Sequence, residues 1–229
     1  MQKALLCGLT LMLVGCLSIE SRRAMPEEHT QISAEGEASS SKIVFPLFGS
    51  GAIAERILET GILEIGNREA PLVLLLFTNH SCRYCRQFQE DLYPLLLKEF
   101  IEPGVLRLQV TVLPLQKYPQ SRMALTSILC AAHQGKGAAM HNLLFSIPIN
   151  QQSILAEIEE WPMDRDLFRS CQNDPVIGLR IAELESLARS LHVTLVPTFF
   201  LNGEKFVGLP DAAELRGRIE TKQREVVGK

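Results

Sequence analysis

The chain has 229 residues, 46% of them hydrophobic, and a formal net charge of -3. This length and apolar content suit one good-sized globular domain, or one domain that carries a large insertion. The nearly balanced charge and the lack of a long basic run argue against nucleic acid as a partner. The sequence also shows no repeat of fixed period, so a repeat architecture is not indicated.

Residues 1–15 are predicted to be a signal peptide. A short positive start precedes an apolar stretch at 4–14, which has signal-peptide length and is too short to span a bilayer. The stretch ends in Leu-Val-Gly before Cys16, a tetrad that resembles the bacterial lipobox, in which the cysteine is acylated after cleavage. The alternative is an ordinary secretory signal in which Cys16 is incidental. Either interpretation predicts export to a compartment where disulfides can persist.

Residues 16–42 are predicted to be a flexible tether. From residue 18 onward the segment is polar, rich in Ser and Glu, and without apolar period, so it cannot bury enough apolar surface to order itself. It would connect a membrane anchor to a folded body that begins near residue 43. The segment is too short and too polar for a packed dimerisation domain, which favours a monomer.

The number of cysteines becomes informative once the N-terminal segment is set aside. The chain has six cysteines. Cys7 would be removed with the signal peptide and Cys16 would carry lipid. An exported protein with four remaining cysteines suggests two pairs. The four are Cys82, Cys85, Cys130 and Cys171.

Strands and one long helix are predicted in the first half of the folded part. Residues 61–66 and 71–77 have strand patterns, and the second is apolar on both faces, as in a central strand. From about Cys82 apolar residues recur at helical steps, and this period continues to Phe100, so Pro94 should kink the helix rather than end it.

The second half is predicted to be a helical block followed by a hairpin and a helix. A strand at 105–113 precedes the block at 117–191, whose patterns are all helical. The five helices expected there are a stripe over Leu125–Ala132 and segments at about 137–146, 151–161, 164–172 and 175–191. Strands at 197–203 and 204–209 then form a hairpin, and Asp211 with Glu214 begins a last helix.

This order resembles the α/β thioredoxin fold with an inserted all-helical domain, as in DsbA-like thiol:disulfide oxidoreductases. The resemblance is carried by four stretches, EIGNREAPLVLLLFTNHSCRYC, EDLYPLLLKEF, LCAAHQGKGAAMHNLLF and LHVTLVPTFFLNGEKFVG. It implies that residues 43–116 and 192–229 form the two parts of a thioredoxin fold and that residues 117–191 form the insertion.

Cys82 and Cys85 are the candidate catalytic residues. A helix N-terminus favours a thiolate through its free N–H groups and its dipole, and the thiolate is the species that attacks a disulfide. Cys82 at the helix start is therefore the expected nucleophile, and Cys85, one turn in, is the expected resolving thiol. Many members of the family carry proline and histidine between the two cysteines. Arg83 and Tyr84 stand there instead, so both are expected to tune the redox poise.

The resemblance also implies a substrate-binding loop. Members of the family place a cis-proline opposite the two cysteines, and Pro197 stands at that position. The backbone of Val196 would then pair with an extended substrate, as an added strand does. Some relatives carry a second disulfide in the helical domain, which makes Cys130 with Cys171 a tentative structural bridge. The alternative is two buried free thiols.

The predicted function is the introduction of disulfides into other exported proteins. The redox-active disulfide would be the only cofactor, no metal site is expected, and the family implies a membrane partner that reoxidises the enzyme. A reductase or isomerase of the same fold remains open, as does a copper or zinc carrier that uses Cys82 and Cys85. His80 is interpreted as a loop residue beside the site rather than an acid or base.

Overall fold

The computed structural model describes residues 53–228, and the predicted signal peptide, the tether and Cys16 lie outside them. The described residues form one six-stranded sheet in the order β1-β2-β4-β3-β5-β6. The strands are β1 Glu55–Ile57, β2 Leu63–Ile65, β3 Leu72–Thr78, β4 Leu106–Val112, β5 Thr198–Leu201 and β6 Glu204–Val207.

The centre of the sheet is a parallel pair of strands joined by a helical crossover. β3 pairs in parallel with β4 over its full length, and its other edge pairs antiparallel with β5. β3 is central, as its unbroken apolar run predicted. β5 and β6 form the predicted hairpin, which leads into the last helix, α8 Ala212–Val227. The βαβ and ββα units together make the thioredoxin fold.

Five helices lie between β4 and β5, as the sequence predicted. They are α3 Ser121–Ala132, α4 Gly137–Leu143, α5 Gln151–Glu157, α6 Arg165–Gln172 and α7 Pro175–Ser190. Asparagine or aspartate side chains cap the N-termini of α5, α6 and α7. The second and third of these helices, α4 and α5, end a few residues earlier than their patterns indicated, an ordinary error for helix ends.

The helix after β3 continues past Pro94, as predicted, but with an irregular pitch. The segment α1 Arg83–Gln87 is followed by a π-helical turn Phe88–Leu92, then α2 Tyr93–Leu96 and a second π-helical turn Leu97–Ile101. Pro94 lies in the first turn of α2, where its missing N–H costs least. The wider turn before it accommodates the proline without ending the helix.

The sequence did not predict β1, which has only three residues. It pairs antiparallel with β2, with Glu55 opposite Ile65. Three residues are too few to show an alternating pattern, so only the neighbouring strand reveals this one. The predicted strand 204–209 was too long, because Gly208 has a φ of 94° and breaks the extended conformation.

Strand β1 also positions helix α4 of the insertion. The two carboxylate oxygens of Glu55 accept hydrogen bonds from the backbone N–H groups of Gly137 at 2.6 Å and Ala138 at 2.8 Å. The approach is close, since a Cβ on Gly137 would lie 2.6 Å from the Cβ of Ala132 and 2.9 Å from a methyl of Leu63. Glu55 therefore satisfies donors at the helix start that would otherwise lack partners.

The main hydrophobic core joins the sheet to the helices on both of its faces. Phe88, from the helix that follows the two cysteines, packs on Phe199 of β5 with ring centroids 5.1 Å apart. Both rings are almost completely buried, which fixes the start of that helix against the strand after Pro197. Among residues 53–228, no helix is long and apolar enough to cross a membrane.

Candidate active site

Cys82 and Cys85 lie where the central strand meets the helix after it. Cys82 is the residue immediately before α1 and has extended backbone angles, while Cys85 lies inside the first turn. Both are free thiols, and 7% of the Cys82 surface is exposed against 0% for Cys85. Arg83 and Tyr84 point outward between them, with Tyr84 55% exposed. Only the first cysteine of the motif can therefore be approached by another molecule.

A hydrogen-bonded turn centred on Asn79 sets the position of Cys82. The amide oxygen of Asn79 accepts from the backbone N–H of Ser81 at 3.0 Å, and its backbone carbonyl accepts from the N–H of Cys82. The amide nitrogen donates to the carbonyl of Leu113 at 3.0 Å and to the hydroxyl of Ser121 at 2.7 Å. Asn79 thus ties the loop to the end of β4 and to the start of α3.

The loop before β5 lies opposite Cys82. The peptide bond between Val196 and Pro197 is cis, and the Val196 carbonyl lies 3.5 Å from the Cys82 sulfur. The Thr198 hydroxyl donates to the carbonyl of Leu195 at 2.7 Å, which holds the loop from within. The residues that the sequence selected for substrate binding are therefore adjacent to Cys82, the more accessible of the two cysteines.

Burial controls the protonation of Cys85. Its removal from solvent raises the pKa of the Cys85 thiol to about 12, and the neighbouring Cys82 adds to the increase. Hydrogen bonds from the side chain of Thr78 and the backbone of Asn79 act in the opposite direction but do not outweigh burial. Cys85 is consequently protonated at neutral pH, and a protonated thiol is a poor nucleophile.

A pair of buried histidines packs beside the cysteines. His80 comes from the loop before Cys82, and His141 comes from α4; both are nearly inaccessible. The Nε2 atom of His80 lies 3.2 Å from Nδ1 of His141 and 3.2 Å from the carbonyl oxygen of the same residue. Burial lowers the pKa of His141 to about 4, and burial together with His141 lowers the pKa of His80 well below its usual value.

Phe145 packs into this buried group, and the exposed Arg86 contacts it from outside. Phe145 packs against Cys82 and Cys85, and its ring centroid lies 4.4 Å from that of His80. The Arg86 guanidinium lies over the Phe145 ring, donates to the Phe145 carbonyl, and reaches the His80 carbonyl at 3.4 Å. These contacts join the first turn of α1 to the helical insertion.

Sequence reasoning did not assign a role at the site to three of these residues. His141 and Phe145 lie in the stretch LCAAHQGKGAAMHNLLF, which supported the resemblance but carried no site prediction. Arg86 directly follows the cysteine motif, and no sequence pattern indicated a role for it. Their contacts cross 59 residues or more of sequence for His141 and Phe145, so no local pattern could have indicated them. The interpretation of His80 as a loop residue is compatible with its position, although its ring is buried.

The loop after β4 forms another border of the site. Tyr118 packs against the cluster of Cys82, Cys85 and Phe145, and the side chain of Gln120 donates to the Ser81 hydroxyl at 2.5 Å. The residues that flank the exposed sulfur therefore come from the α1 start, the cis-proline loop and this loop.

The remaining two cysteines lie within the helical insertion. Cys130 of α3 and Cys171 of α6 form a disulfide across a sequence separation of 41 residues. The bridge links α3 directly to α6, which α4 and α5 separate in the sequence. Within the part of the chain that the structure describes, no group of three or more His, Cys, Asp or Glu side chains is arranged to hold a metal ion.

A cysteine pair stands at a helix start after the central strand of a mixed sheet and faces a cis-proline loop. This arrangement defines the class of thioredoxin-like proteins that exchange dithiols and disulfides. The chain belongs to the thioredoxin family, whose sequence profile matches residues 58–221. Cys82 and Cys85 are both free thiols, and thiol–disulfide exchange requires a thiol of this kind.

Solved structures share this fold, including its helical insertion. The oxidised BdbD of Bacillus subtilis superposes with a TM-score of 0.64 at 17% identity, covering 76% of this chain and 98% of that chain. The α-DsbA1 of Wolbachia pipientis gives 0.63 at 19% identity, with 72% and 92% covered. A thioredoxin-like oxidoreductase from Silicibacter pomeroyi gives 0.62 at 22% identity, with 72% and 93% covered. At these identities the likeness establishes a DsbA-like fold.

Curated relatives match by sequence over a shorter range. Two proteins named Na(+)/H(+) antiporter NhaA, from Salinispora tropica and Salinispora arenicola, are 31% and 32% identical over 146 residues. The match covers 62% of this chain but only 22% of either relative. The chain thus spans about a fifth of their length, and the antiporter activity in their names does not carry over to it.

Proposed function

We propose that this protein introduces disulfide bonds into other exported proteins through Cys82 and Cys85. The observation that carries the proposal is the contrast between the two thiols. Cys82 is partly exposed at a helix start, 3.5 Å from the Val196 carbonyl, while burial raises the pKa of Cys85 to about 12. One thiol is available for attack, and the other is held behind it.

The proposed reaction consists of two successive thiol–disulfide exchange steps. In the oxidised protein a substrate thiolate attacks the Cys82 sulfur, so the bond between Cys82 and Cys85 breaks, and Cys85 leaves as a thiolate that takes up a proton. The second substrate thiolate then attacks the substrate sulfur of the mixed disulfide. The substrate disulfide forms and Cys82 is released as a thiolate. Two electrons have passed from the substrate to the cysteine pair.

The direction of exchange follows from the relative stability of the reduced form. The N-terminus of α1 and the cation of Arg83 both favour a Cys82 thiolate, and stabilising the reduced protein makes its disulfide a stronger oxidant. Arg83 and Tyr84 are proposed to set this poise because they occupy the positions between the cysteines. The backbone of Val196 is proposed to hold an extended substrate against the sulfur.

A redox titration tests the direction. Equilibration of the full-length protein with glutathione buffers should give a potential less negative than that of thioredoxin, which is about -270 mV. The oxidised protein should also restore disulfides to a reduced, unfolded secreted protein. A potential at or below the thioredoxin value would instead favour the reductase. A stoichiometric loss of titratable thiols on addition of Cu(I) or Zn(II), without dithiol oxidation, would favour a metal carrier.

Export and anchoring are part of the proposal. The lipobox-like tetrad before Cys16 supports acylation of that residue, and residues 16–42 would tether the folded part to a membrane. Labelling of the wild type with a fatty acid in cells, and loss of the label in Cys16→Ser, would test this. After each turnover a membrane partner would reoxidise the pair, so that the resting protein in cells should be trapped with its cysteines oxidised.

A further inference from the structure

The sequence segments that border Cys82 contain no Asp or Glu residues. The chain has 26 Asp and Glu residues, yet none occurs in residues 70–89, 103–156 or 186–203. The first segment contains β3 and the start of α1, the second contains the loop after β4 together with α3 and α4, and the third contains the cis-proline loop. The face that presents the reactive sulfur is therefore built from acid-free chain, although the whole protein is slightly acidic.

Cations lie on this face without carboxylate partners. Arg83 is exposed in the first turn of α1, and the Lys117 ammonium lies 5.2 Å from the ring centroid of Tyr118, which packs against the cluster of Cys82, Cys85 and Phe145. Neither forms an ion pair with any residue in the range 53–228. Arg86 adds a third positive charge beside them.

Some arginines elsewhere in the protein pair with carboxylates, unlike Arg83. Arg122 pairs with Glu185 at 2.7 Å, and Arg216 forms two hydrogen bonds with Glu99 at 2.7 and 2.8 Å. On the helix that starts at Cys82, the first acid is Glu90. Eight residues of helix correspond to about 12 Å, which exceeds the screening length of about 8 Å at physiological salt. The charges around the sulfur are thus not neutralised locally.

Apolar side chains are exposed on the start of α1 and on the cis-proline loop. Tyr84 is 55% exposed and Leu195 is 64% exposed, on the two elements that meet at the Cys82 sulfur. An extended chain that pairs with the Val196 backbone beside Cys82 would lie close to these side chains and to the elements that carry Arg83 and Lys117.

We propose that the preferred substrates are cysteine-bearing segments in which acidic residues flank the reacting cysteine. The inference rests on the proposed function and adds a substrate class to it. The positive face attracts such segments during encounter and pairs with them in the mixed disulfide, whereas it repels basic segments. An anionic membrane surface is the other ligand that such a face could contact, but the cations belong to the elements that border the Cys82 sulfur, where a substrate must lie.

Matched dithiol peptides test the inference. Three peptides would differ only in the residues that flank their two cysteines, which are Glu, Gln or Lys. Oxidation is followed in a single turnover with excess oxidised full-length protein. Each rate is divided by the rate of the same peptide with hydroxyethyl disulfide, a neutral oxidant, because flanking charges also alter the reactivity of the peptide thiol.

The expected order of normalised rates is Glu, then Gln, then Lys. The Glu and Lys peptides should differ by about tenfold at low ionic strength, and the difference should shrink in about 0.5 M salt. In the double variant Arg83→Gln with Lys117→Gln the ratio should fall to about two. A change in the intrinsic reactivity of Cys82 would alter the Glu and Lys rates equally, so it cancels in the ratio of the two rates. Lys98→Gln removes an exposed cation far along the same helical segment and should keep the wild-type ratio.

The outcomes separate this inference from the function on which it rests. Equal normalised rates for the three peptides, or a ratio that the double variant leaves unchanged, would overturn the inference alone. Failure to oxidise any of the peptides would overturn the proposed function and the inference with it. Binding of wild type to phosphatidylglycerol vesicles that is lost in the double variant, with no discrimination among peptides, would assign the face to a membrane instead.

Discussion

The Nε2 atom of His80 lies 3.2 Å from the Nδ1 atom of His141, and both rings are buried beside the candidate redox pair. His80 belongs to the loop that presents Cys82, and His141 belongs to the helical insertion. An N–H at Nε2 of His80 can donate either to Nδ1 of His141 or to its carbonyl oxygen. The geometry suits two neutral imidazoles, because a second proton would place uncompensated charge in the interior.

This pair should make stability depend on pH below neutrality. Burial lowers the pKa of His141 to about 4 and the pKa of His80 well below the usual value, so the folded protein resists protonation while the unfolded chain accepts protons at about pH 6.5. The contribution of this pair to the free energy of unfolding is therefore constant well above that pH and falls as the pH drops toward about 4. Each histidine should contribute a slope of up to about 1.4 kcal/mol per pH unit.

Urea unfolding between pH 7.5 and 5.5 would measure the effect, above the range in which most carboxylates titrate. His141→Gln should flatten the pH dependence by removing one of the two groups, whereas His133→Gln, at an exposed position, should leave it unchanged. An equally steep decline in His141→Gln would contradict the assignment.

The two cysteines of the motif should behave differently when replaced one at a time. Reduced Cys85→Ser, incubated with a disulfide substrate, should accumulate a mixed disulfide, because Cys82 attacks the substrate disulfide and the Cys85 thiol that would displace the substrate in this direction of exchange is gone. Cys82→Ser should form no mixed disulfide and should lose exchange activity, since Cys85 is 0% exposed and its pKa is raised to about 12. Mass spectrometry of the trapped species measures both outcomes. Equal residual activity in the two variants would refute the roles.

Removal of the second disulfide should destabilise the protein without stopping exchange. The Cys130–Cys171 bridge closes a loop with a sequence separation of 41 residues, which restricts the unfolded chain. Replacement of both residues by Ala should lower the free energy of unfolding by about 2–4 kcal/mol. Chemical denaturation provides the measurement, and oxidation of a model dithiol by Cys82 is the control. Free thiols at both positions in the oxidised wild type would contradict the bridge.

Glu55 should stabilise the insertion through the start of α4. Its carboxylate binds the N–H groups of Gly137 and Ala138, and Lys136, the residue before the helix, supplies no side-chain cap. Glu55→Ala should cost about 1–2 kcal/mol in the free energy of unfolding. Glu59→Ala is the matched control, because Glu59 contributes only its backbone carbonyl, to Arg180. The same loss in both variants would show that net charge, not capping, is responsible.

Local sequence patterns were sufficient to predict most helices and strands and to place the cysteine motif at the start of a helix. The apolar run at 71–77, the helical period after Cys82, and the acid that caps α7 at Asp174 are signals contained within a few residues. The turn at Asn202 and Gly203 marked the hairpin in the same way. Each of these features depends on steric preferences and hydrogen bonds between near neighbours, which the sequence specifies directly.

Only the tertiary structure decided how distant residues surround the cysteines. β1 is a strand because it pairs with β2. His80 and His141, which are 61 residues apart, meet because α4 packs beside the loop that carries His80. The disulfide of Cys130 depends in the same way on the packing of α3 against α6. These contacts arise from burial and from the closure of long loops, which leave no periodic trace in the sequence. The sequence by itself determined the reactive motif and the order of its elements, and chain folding determined which charges, rings and carbonyls face the exposed sulfur.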